Sequence, residues 1–325
     1  MQKMSFPLYY LTWNVTCKCN LRCEHCYNAL FDRNRVEDEL STKEGVEMIS
    51  QAKNLGLKAI LFTGGEPLLR KDLPSLIKFA KDKRLIIFLA TNGTLIDKSF
   101  IKEFKGVIDG INISLDAATS KKHDEIRGVK GCFIKTLNSI GTLQKHFPIS
   151  IAFTATQKNL SELSSVAKIA KRYKIPLKIK RFISMGIGSR NQELTLSKSN
   201  YKILIEQIRQ LRKSQKVLFS DPIWLSLNEE RINSYGGCLA GIFSICLDFN
   251  GTAYPCTKLK IPLGNIRNTS LKKIWRKSKI LIKLRKKRLK GKCKNCEKRY
   301  SCGGCRAAAY IKTGDFLTED PLCFL

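Results

Sequence analysis

The sequence predicts an α/β fold: a partial (β/α)6 TIM-like barrel over residues 1–190, a helical linker over 191–235 and a cysteine-rich module over 236–325. Three observations predict it. Short apolar runs alternate with helix-length amphipathic stretches through the first 185 residues, the pattern of βα units on a parallel sheet. Six such units are present, too few to close an eight-stranded barrel. Eight of the 13 cysteines fall after residue 237, where that alternation stops.

Residues 8–13 (Leu-Tyr-Tyr-Leu-Thr-Trp) read as the first strand. Residues 42–54 read as an amphipathic helix, with Ser41 as N-cap and Glu44 three residues on. Lys58 to Thr63 is the second strand, and Leu73 to Ala80 is helical. Leu85 to Ala90 is the third, followed by a helix near 97–105. Ile111 to Leu115 is the fourth, followed by a helix over 133–146. Ile149 to Ala155 is the fifth, with a helix over 160–173, and Leu177 to Ile183 is the sixth. In the last module, Ile245, Leu247, the Asn250-Gly251 turn, Ala253 and Tyr254 read as a β-hairpin. On a parallel sheet, chemistry collects at the carboxyl ends of the strands. Unusual residues stand there: Cys19, Cys23 and Cys26 after the first strand, and Gly64-Gly65-Glu66-Pro67 after the second. Asn92 follows the third, and Ser114 and Asp116 end the fourth.

Hydrophobic residues make up 43% of the 325, enough for a large core. Lys and Arg number 59 against 27 acids, a formal charge of +32 that favours anionic partners. The start has no apolar signal-peptide region, and no apolar run nears the roughly 18 residues that span a bilayer. A secreted disulfide mini-protein, a membrane span and a globally disordered chain are thereby set aside. A cytoplasmic protein is expected, with its cysteines as reduced thiols, metal ligands or both.

Cys19, Cys23 and Cys26 have Cys-x3-Cys-x2-Cys spacing, which lets three thiolates face one centre. Three ligands leave one iron of a 4Fe-4S cubane open. A closed zinc site wants a fourth ligand such as His25, but a side chain between two cysteines points differently from theirs. Cys17 breaks register and is read as a bystander. Toward the C-terminus, Cys238, Cys246 and Cys256 precede Cys293-x2-Cys296-x5-Cys302-x2-Cys305 and Cys323. These eight suffice for two four-thiolate sites, whether iron-sulfur or zinc.

Cys19-x3-Cys23-x2-Cys26 followed by Tyr27 resembles the signature of the radical SAM enzymes. Thr63-Gly64-Gly65-Glu66-Pro67, Thr91-Asn92-Gly93, Ser114-Leu115-Asp116 and His123-Asp-Glu-Ile-Arg127-Gly128 are similar to further family motifs, in order. The resemblance implies a cluster on Cys19, Cys23 and Cys26, with S-adenosylmethionine at its open iron. It further implies SAM contacts from Gly64, Gly65, Glu66, Pro67, Asn92, Ser114, Asp116 and Arg127. Glu66 and the glycines would meet the amino group, Ser114 the ribose and Arg127 the carboxylate. Reductive cleavage would then give a 5′-deoxyadenosyl radical that abstracts hydrogen from substrate. No catalytic residue is assigned beyond the cluster site.

The C-terminal segment resembles the SPASM extension of these enzymes, through Cys238, Gly251, Cys256, Gly264-Asn265-Ile266 and Leu271 to Trp275. The resemblance implies three 4Fe-4S clusters in all. One auxiliary cluster would take Cys238, Cys246, Cys256 and Cys305, and the other Cys293, Cys296, Cys302 and Cys323. Cys302-Gly-Gly-Cys305 is one residue shorter than the usual spacing. Thr257 stands where sulfatase-oxidising members carry an aspartate, which argues against that reaction.

The main expectation is a radical SAM oxidoreductase that modifies a peptide or protein, a peptide-modifying maturase fed by a flavodoxin- or ferredoxin-type electron donor. Only about seven residues precede the first strand, so leader recognition is expected from a separate partner or from residues 272–292. That stretch holds twelve Lys or Arg and no acid, and it reads as one amphipathic basic helix. The alternative is a tetrapyrrole or other small-cofactor precursor as substrate. Leu11 to Thr16 and Met185 to Arg190 also resemble a haem-biosynthesis-like branch, and anionic small molecules suit the charge. A more distant alternative is a non-catalytic zinc protein binding nucleic acid, which is disfavoured by the residues at the strand ends; on the basic stretch, nucleic acid is the weakest partner because no aromatic stacking platform is visible.

Overall fold

The computed structural model describes residues 6–28, 36–227 and 237–325. The last part of the expected linker (228–235) and Gly236 lie outside the described residues. The chain begins with β1 (Tyr10–Asn14), α1 (Thr42–Asn54), β2 (Ala59–Thr63) and α2 (Leu73–Asp82). It continues with β3 (Ile86–Thr91), α3 (Lys98–Phe104), β4 (Gly110–Ser114), α4 (Ser120–Arg127) and α5 (Cys132–Leu143). Next come β5 (Ile149–Ala155), α6 (Leu163–Arg172), β6 (Leu177–Arg181), α7 (Lys198–Arg212), β7 (Val217–Phe219) and α8 (Pro222–Leu227). The last part carries β8 (Ser244–Leu247), β9 (Thr252–Tyr254), β10 (Gly264–Asn265), α9 (Leu271–Lys277), α10 (Lys279–Lys286) and α11 (Arg306–Thr313).

The expected βα alternation is present as a mixed α/β fold. β1 to β7 pair in parallel in chain order. Local signals set several boundaries. Ser41 and Glu44 close a reciprocal capping box at α1, and Gly128 ends α4 in the left-handed conformation. The two strand faces differ sharply. Leu11, Trp13, Ile60, Phe62, Ile87, Leu89, Ile111, Ile113, Ile151 and Phe153 are buried in the main core that the helices cover. The alternate residues Tyr10, Thr12, Thr63, Ala90, Asn112, Ser114, Thr154 and Lys180 all line one cavity. Residues from six strands can share one cavity only if the sheet curves around it.

Three features differ from expectation. Beyond β6 the parallel sheet gains β7, which α7 packs against. On the other side β8 pairs in parallel with β1, Tyr10 opposite Ser244 and Trp13 opposite Leu247. β9 and β10 then add antiparallel, so one sheet of ten strands runs β10-β9-β8-β1-β2-β3-β4-β5-β6-β7. The basic stretch 272–292 is two helices rather than one. Ser278 is extended, ends α9 and caps α10 by accepting from Leu281 N. Its cations are not all solvated. Arg285 stacks 4.2 Å from the Trp275 ring and donates to Gly241 O and Trp275 O, and Lys287 is buried with its ammonium on Tyr300 O.

Candidate active site

The stretch between β1 and residue 28 carries Cys19, Cys23 and Cys26, and all three line the cavity together. Cys19 and Cys26 also pack against a small buried cluster of Leu21, Cys23 and Cys132. Backbone contacts hold this loop from three sides. Gly65 N donates to Thr16 O at 2.8 Å and Glu66 N to Lys18 O at 2.7 Å. A Cβ on Gly65 would lie 1.9 Å from Lys18 O, so the glycine pair is required by the chain's own close approach. From the second side, Arg22 N and Glu24 N donate to Arg127 O and Ile126 O at the end of α4. From the third, Gly188 N reaches Cys26 O, and a Cβ on Gly186 would lie 2.5 Å from Tyr27 O.

The other rim residues divide by where they face. Gly64, Gly65, Asn92, Ser114 and Arg127 line the cavity. Glu66, Pro67 and Asp116 are buried behind its wall. Glu66 accepts from Thr91 Oγ1 (2.8 Å), Asn92 N (2.8 Å) and Leu68 N (3.2 Å), so it joins the ends of β2 and β3. Burial pushes its carboxyl up to about 7 against those hydrogen bonds. Asn92 Oδ1 accepts from Thr94 N, and its Nδ2 donates to Asn20, which shapes the turn after β3. Asp116 pairs with Arg127 and with His25 Nε2 at 3.4 Å, and it accepts from Thr154 N at 2.8 Å. His25 therefore turns to Asp116, and burial pushes its imidazolium down to about 4, leaving a neutral ring. His123 Nδ1 accepts from Asp116 N at 3.2 Å.

Arg127 thus stands fixed between an acid and a thiol, with Nη1 at 3.7 Å from Cys23 Sγ. Burial pushes the Cys23 thiol up to about 11, while Arg127 pulls it down. A buried, neutral thiol becomes a thiolate when a metal supplies the compensating charge. The donor set fits an iron-sulfur cluster: three clustered thiols, one cation beside them and no fourth cysteine on the cavity wall. Cys17 lies off the cavity and faces Glu39, its Sγ 3.6 Å from Oε1. Cys132 donates to Asp124 Oδ1 at 3.2 Å.

Electrostatic coupling links the C-terminal cysteines in two series, with Cys238 N donating to Cys302 O at 3.1 Å between them. Cys256 feels Cys238 and Cys305, Cys246 feels Cys256, and Cys305 feels Cys238. Cys293 feels Cys296 and Cys323, and Cys302 feels Cys323. Burial pushes Cys256 up to about 12 and Cys302 up to about 11. Four thiols in each group are the donor number of a closed cubane. Among the described residues, no three metal-type side chains close on a single-ion point.

Residues that motif reasoning did not single out tie these parts together. Asn14 Nδ2 donates to Asp248 Oδ1 at 2.6 Å and to Asn28 Oδ1 at 3.3 Å, and its Oδ1 accepts from Tyr27 at 3.4 Å. Arg181 is buried with two acids, Nε at 2.6 Å from Asp221 and Nη1 at 3.2 Å from Asp320. Asp320 also accepts from Cys305 N at 2.8 Å. Lys180 and Lys258 line the far side of the cavity, whose volume is about 360 Å³. A signal existed: β6 reads Leu-Lys-Ile-Lys-Arg, with charge on the face where the other strands carry neutral residues.

Known proteins bear on this site. The profile of the Radical SAM superfamily matches residues 13–170, and that of the SPASM iron-sulfur cluster-binding domain matches 238–297. An AdoMet-dependent heme synthase of Methanosarcina barkeri is 30% identical over 96% of this chain and 95% of its own. One of Nitratidesulfovibrio vulgaris is 31% identical over 96% and 91%. Proteins named Fe-coproporphyrin III synthase and pre-heme d1 synthase match at 29% and 26% identity. The structure of Streptococcus suis SuiB bound to S-adenosylmethionine superposes with TM-score 0.80, covering 99% of this chain and 78% of that one, at 19% identity that speaks for fold alone. The peptide-modifying expectation is therefore corrected. Curated relatives along nearly the whole chain are named for haem-type synthesis. The motifs behind the peptide reading belong to cofactor chemistry that both branches share.

Proposed function

This chain belongs to the radical SAM superfamily and carries an iron-sulfur cluster-binding SPASM domain, with S-adenosylmethionine and 4Fe-4S clusters as cofactors, and on that premise we propose that it modifies a haem-type tetrapyrrole. The observation that carries the reading is the cavity. The cysteine loop and a cationic far wall bound one space, and no acid lines it among the described residues. Its volume of about 360 Å³ lies within the roughly 300–1,000 Å³ of an ordinary small-molecule pocket. Named relatives along nearly the full length support the substrate class.

Cys19, Cys23 and Cys26 would hold the first cluster. Cys238, Cys246, Cys256 and Cys305 would hold a second, and Cys293, Cys296, Cys302 and Cys323 a third. A reduced cluster held by these cysteines, with SAM, would supply radical hydrogen-abstraction chemistry at the cavity. The chain's own groups orient and enclose. The Gly64-Gly65 backbone, Ser114 and Arg127 would face SAM from the cavity wall. Glu66, Pro67 and Asp116 would act from behind that wall: Glu66 fixes the ends of β2 and β3, and Asp116 holds the Arg127 guanidinium in place. Asn92 would hold the turn beside them. A low-potential donor of flavodoxin or ferredoxin type and a reducing, cytoplasmic setting suit thiolate-held clusters. No described helix is long and apolar enough to cross a membrane.

The test is anaerobic reconstitution, then incubation with SAM, reductant and iron coproporphyrin III. Formation of 5′-deoxyadenosine together with a new porphyrin species in the mass spectrum is expected. Zinc in place of iron, or porphyrin left unchanged while SAM is cleaved, overturns the reading.

A further inference from the structure

The cavity wall carries four cations and no acid among the described residues: Arg127, Lys180, Arg181 and Lys258. Two of them are spent on the protein. Arg127 is paired with Asp116, and Arg181 with Asp221 and Asp320. The lysines differ. Lys180 projects from the inner face of β6, one inward position beyond Lys178. Lys178 is committed, its ammonium donating to Asn112 Oδ1 at 2.5 Å. Among the described residues, the charged groups acting on Lys180 are Lys258 and Lys178. Its surface is open, but onto the cavity, and that enclosure with its cationic neighbours pushes its ammonium down to about 8. Lys258 follows β9 and Cys256 and spends one N–H on Arg181 O at 3.0 Å. An ammonium has three donors, so two remain.

The bland reading is a pair of solvated lysines on a Lys-rich chain. It fails on position. A surface lysine has water and freedom to separate from its neighbours, whereas Lys180 on β6 and Lys258 in the turn after β9 line the same hollow. Like charges held together in an enclosed site are destabilising until an anion joins them. The lower cavity wall beside them is polar and neutral, with Thr12, Asn112, Ser114 and Thr154. It offers hydrogen bonds and no competing negative charge.

We propose that Lys180 and Lys258 together dock a carboxylate of the substrate and so fix how the tetrapyrrole lies in the cavity. This rests on the tetrapyrrole reading above and adds the residues that set orientation and specificity. The two lysines come from different parts of the chain, β6 and the turn after β9, so the docking point forms only where the barrel and the C-terminal module meet. An acid side chain gripped there has its own charge neutralised, while the cysteine loop, five strands away along the sheet, bounds the same space. Recognition by two ammonium groups disfavours a neutral ester of the same ring, because the ester leaves the Lys180 ammonium on the cavity wall without a counter-charge, whereas Lys258 also feels Asp221, Cys256 and Cys305.

The test uses the reconstituted holoenzyme with SAM bound, titrated anaerobically with iron coproporphyrin III and with its tetramethyl ester, read from the porphyrin absorption band. The parent protein is expected to favour the acid over the ester by at least tenfold. Lys180→Gln and Lys258→Gln are each expected to weaken acid binding about tenfold while leaving ester binding unchanged. Lys180→Arg is expected to restore most of the preference. Cluster absorption and the melting curve identify any variant that has lost its fold, and Lys180→Arg serves as the folded comparison. Undiminished acid binding in both glutamine variants overturns the docking proposal alone. A parent that binds neither porphyrin overturns the tetrapyrrole reading and the docking with it. Equal losses for acid and ester show a merely structural role and also overturn the proposal.

Discussion

The cysteine loop after β1 is held mainly by backbone, whereas Cys305 in the C-terminal module is also held by buried side-chain charge. Around Cys19, Cys23 and Cys26, the fixing contacts are amide-to-carbonyl bonds from Thr16, Lys18, Arg22 and Cys26, passed through glycines that allow contact distances. Around Cys305, the fixing group is Arg181 with Asp221 and Asp320, all nearly solvent-free. The difference follows from use. A loop that offers an open coordination position to a cavity must keep side chains out of the way, so small residues and main chain hold it. A closed four-thiolate site has no ligand to admit, so bulky, charged and deeply buried groups can surround it.

The largest expected effect breaks the first region and spares the second. Replacing Cys19, Cys23 and Cys26 together by alanine should reduce 5′-deoxyadenosine formation to background. Iron should fall by about a third if three four-iron cubanes are present. Retained SAM cleavage, or loss of all the iron, defeats the separation of the two regions. Arg181→Met then attacks the second. It leaves Asp221 and Asp320 buried without their cation, a loss of about 3–5 kcal/mol visible in thermal or denaturant unfolding. An unchanged melting temperature refutes the ion network as the support of that region.

Gly65→Ala probes the backbone side more gently. The added carbon meets Lys18 O at 1.9 Å, so loop and turn must part, at a cost of about 1–3 kcal/mol. SAM affinity should fall while C-terminal iron stays. Equal weakening of both would show that the two regions share one support. The smallest effect comes from Arg267→Met. Arg267 reaches across from the C-terminal part to Glu44 in α1 at 2.6 Å and donates to Asp38 O and Glu39 O. The Arg267 hydrogen bond, with those of Ser41, lowers the Glu44 carboxyl from 4.5 to about 2. A depressed carboxylate stabilises the fold above its unfolded pKa, and that stabilisation is lost as pH falls through the folded one. Parent and variant should differ by about 0–1 kcal/mol at neutral pH and converge between pH 4.5 and 2. A gap that widens on acidification contradicts the pairing.

Where a local rule and the tertiary environment agree, the elements were legible. β5 spans Ile149–Ala155 as its apolar run indicates, and α1 starts at the Ser41 and Glu44 capping box. α4 was hidden because its inward face is His123, Ile126 and Arg127, so no apolar period marks it. β7 has three residues, too short for alternation to register. The basic stretch looked continuous because hydrophobic spacing passes through Ser278, whereas the serine's capping bond decides the break. The proposed cofactor residues lie in contiguous motifs, and the structure brings Cys19, Cys23 and Cys26 to one cavity wall. The turn residues were not fully legible: Gly65 packs on Lys18, and Glu66 bridges two strands instead of facing the cavity. The proposed docking positions Lys180 and Lys258 are single inward residues on separate elements, and no motif gathers them.

The parallel pairing of β1 with β8 joins Thr12 to Cys246 across most of the chain. During synthesis β1 can pair with β2 almost at once, but its other edge stays bare until residues 244–247 leave the ribosome. Bare strand edges template wrong pairings, and contacts this distant in sequence form slowly. A chain cut before β8 would therefore lose more than its C-terminal thiols. It would expose Tyr10 to Trp13 as a sticky border, and its insolubility could be mistaken for a requirement for iron.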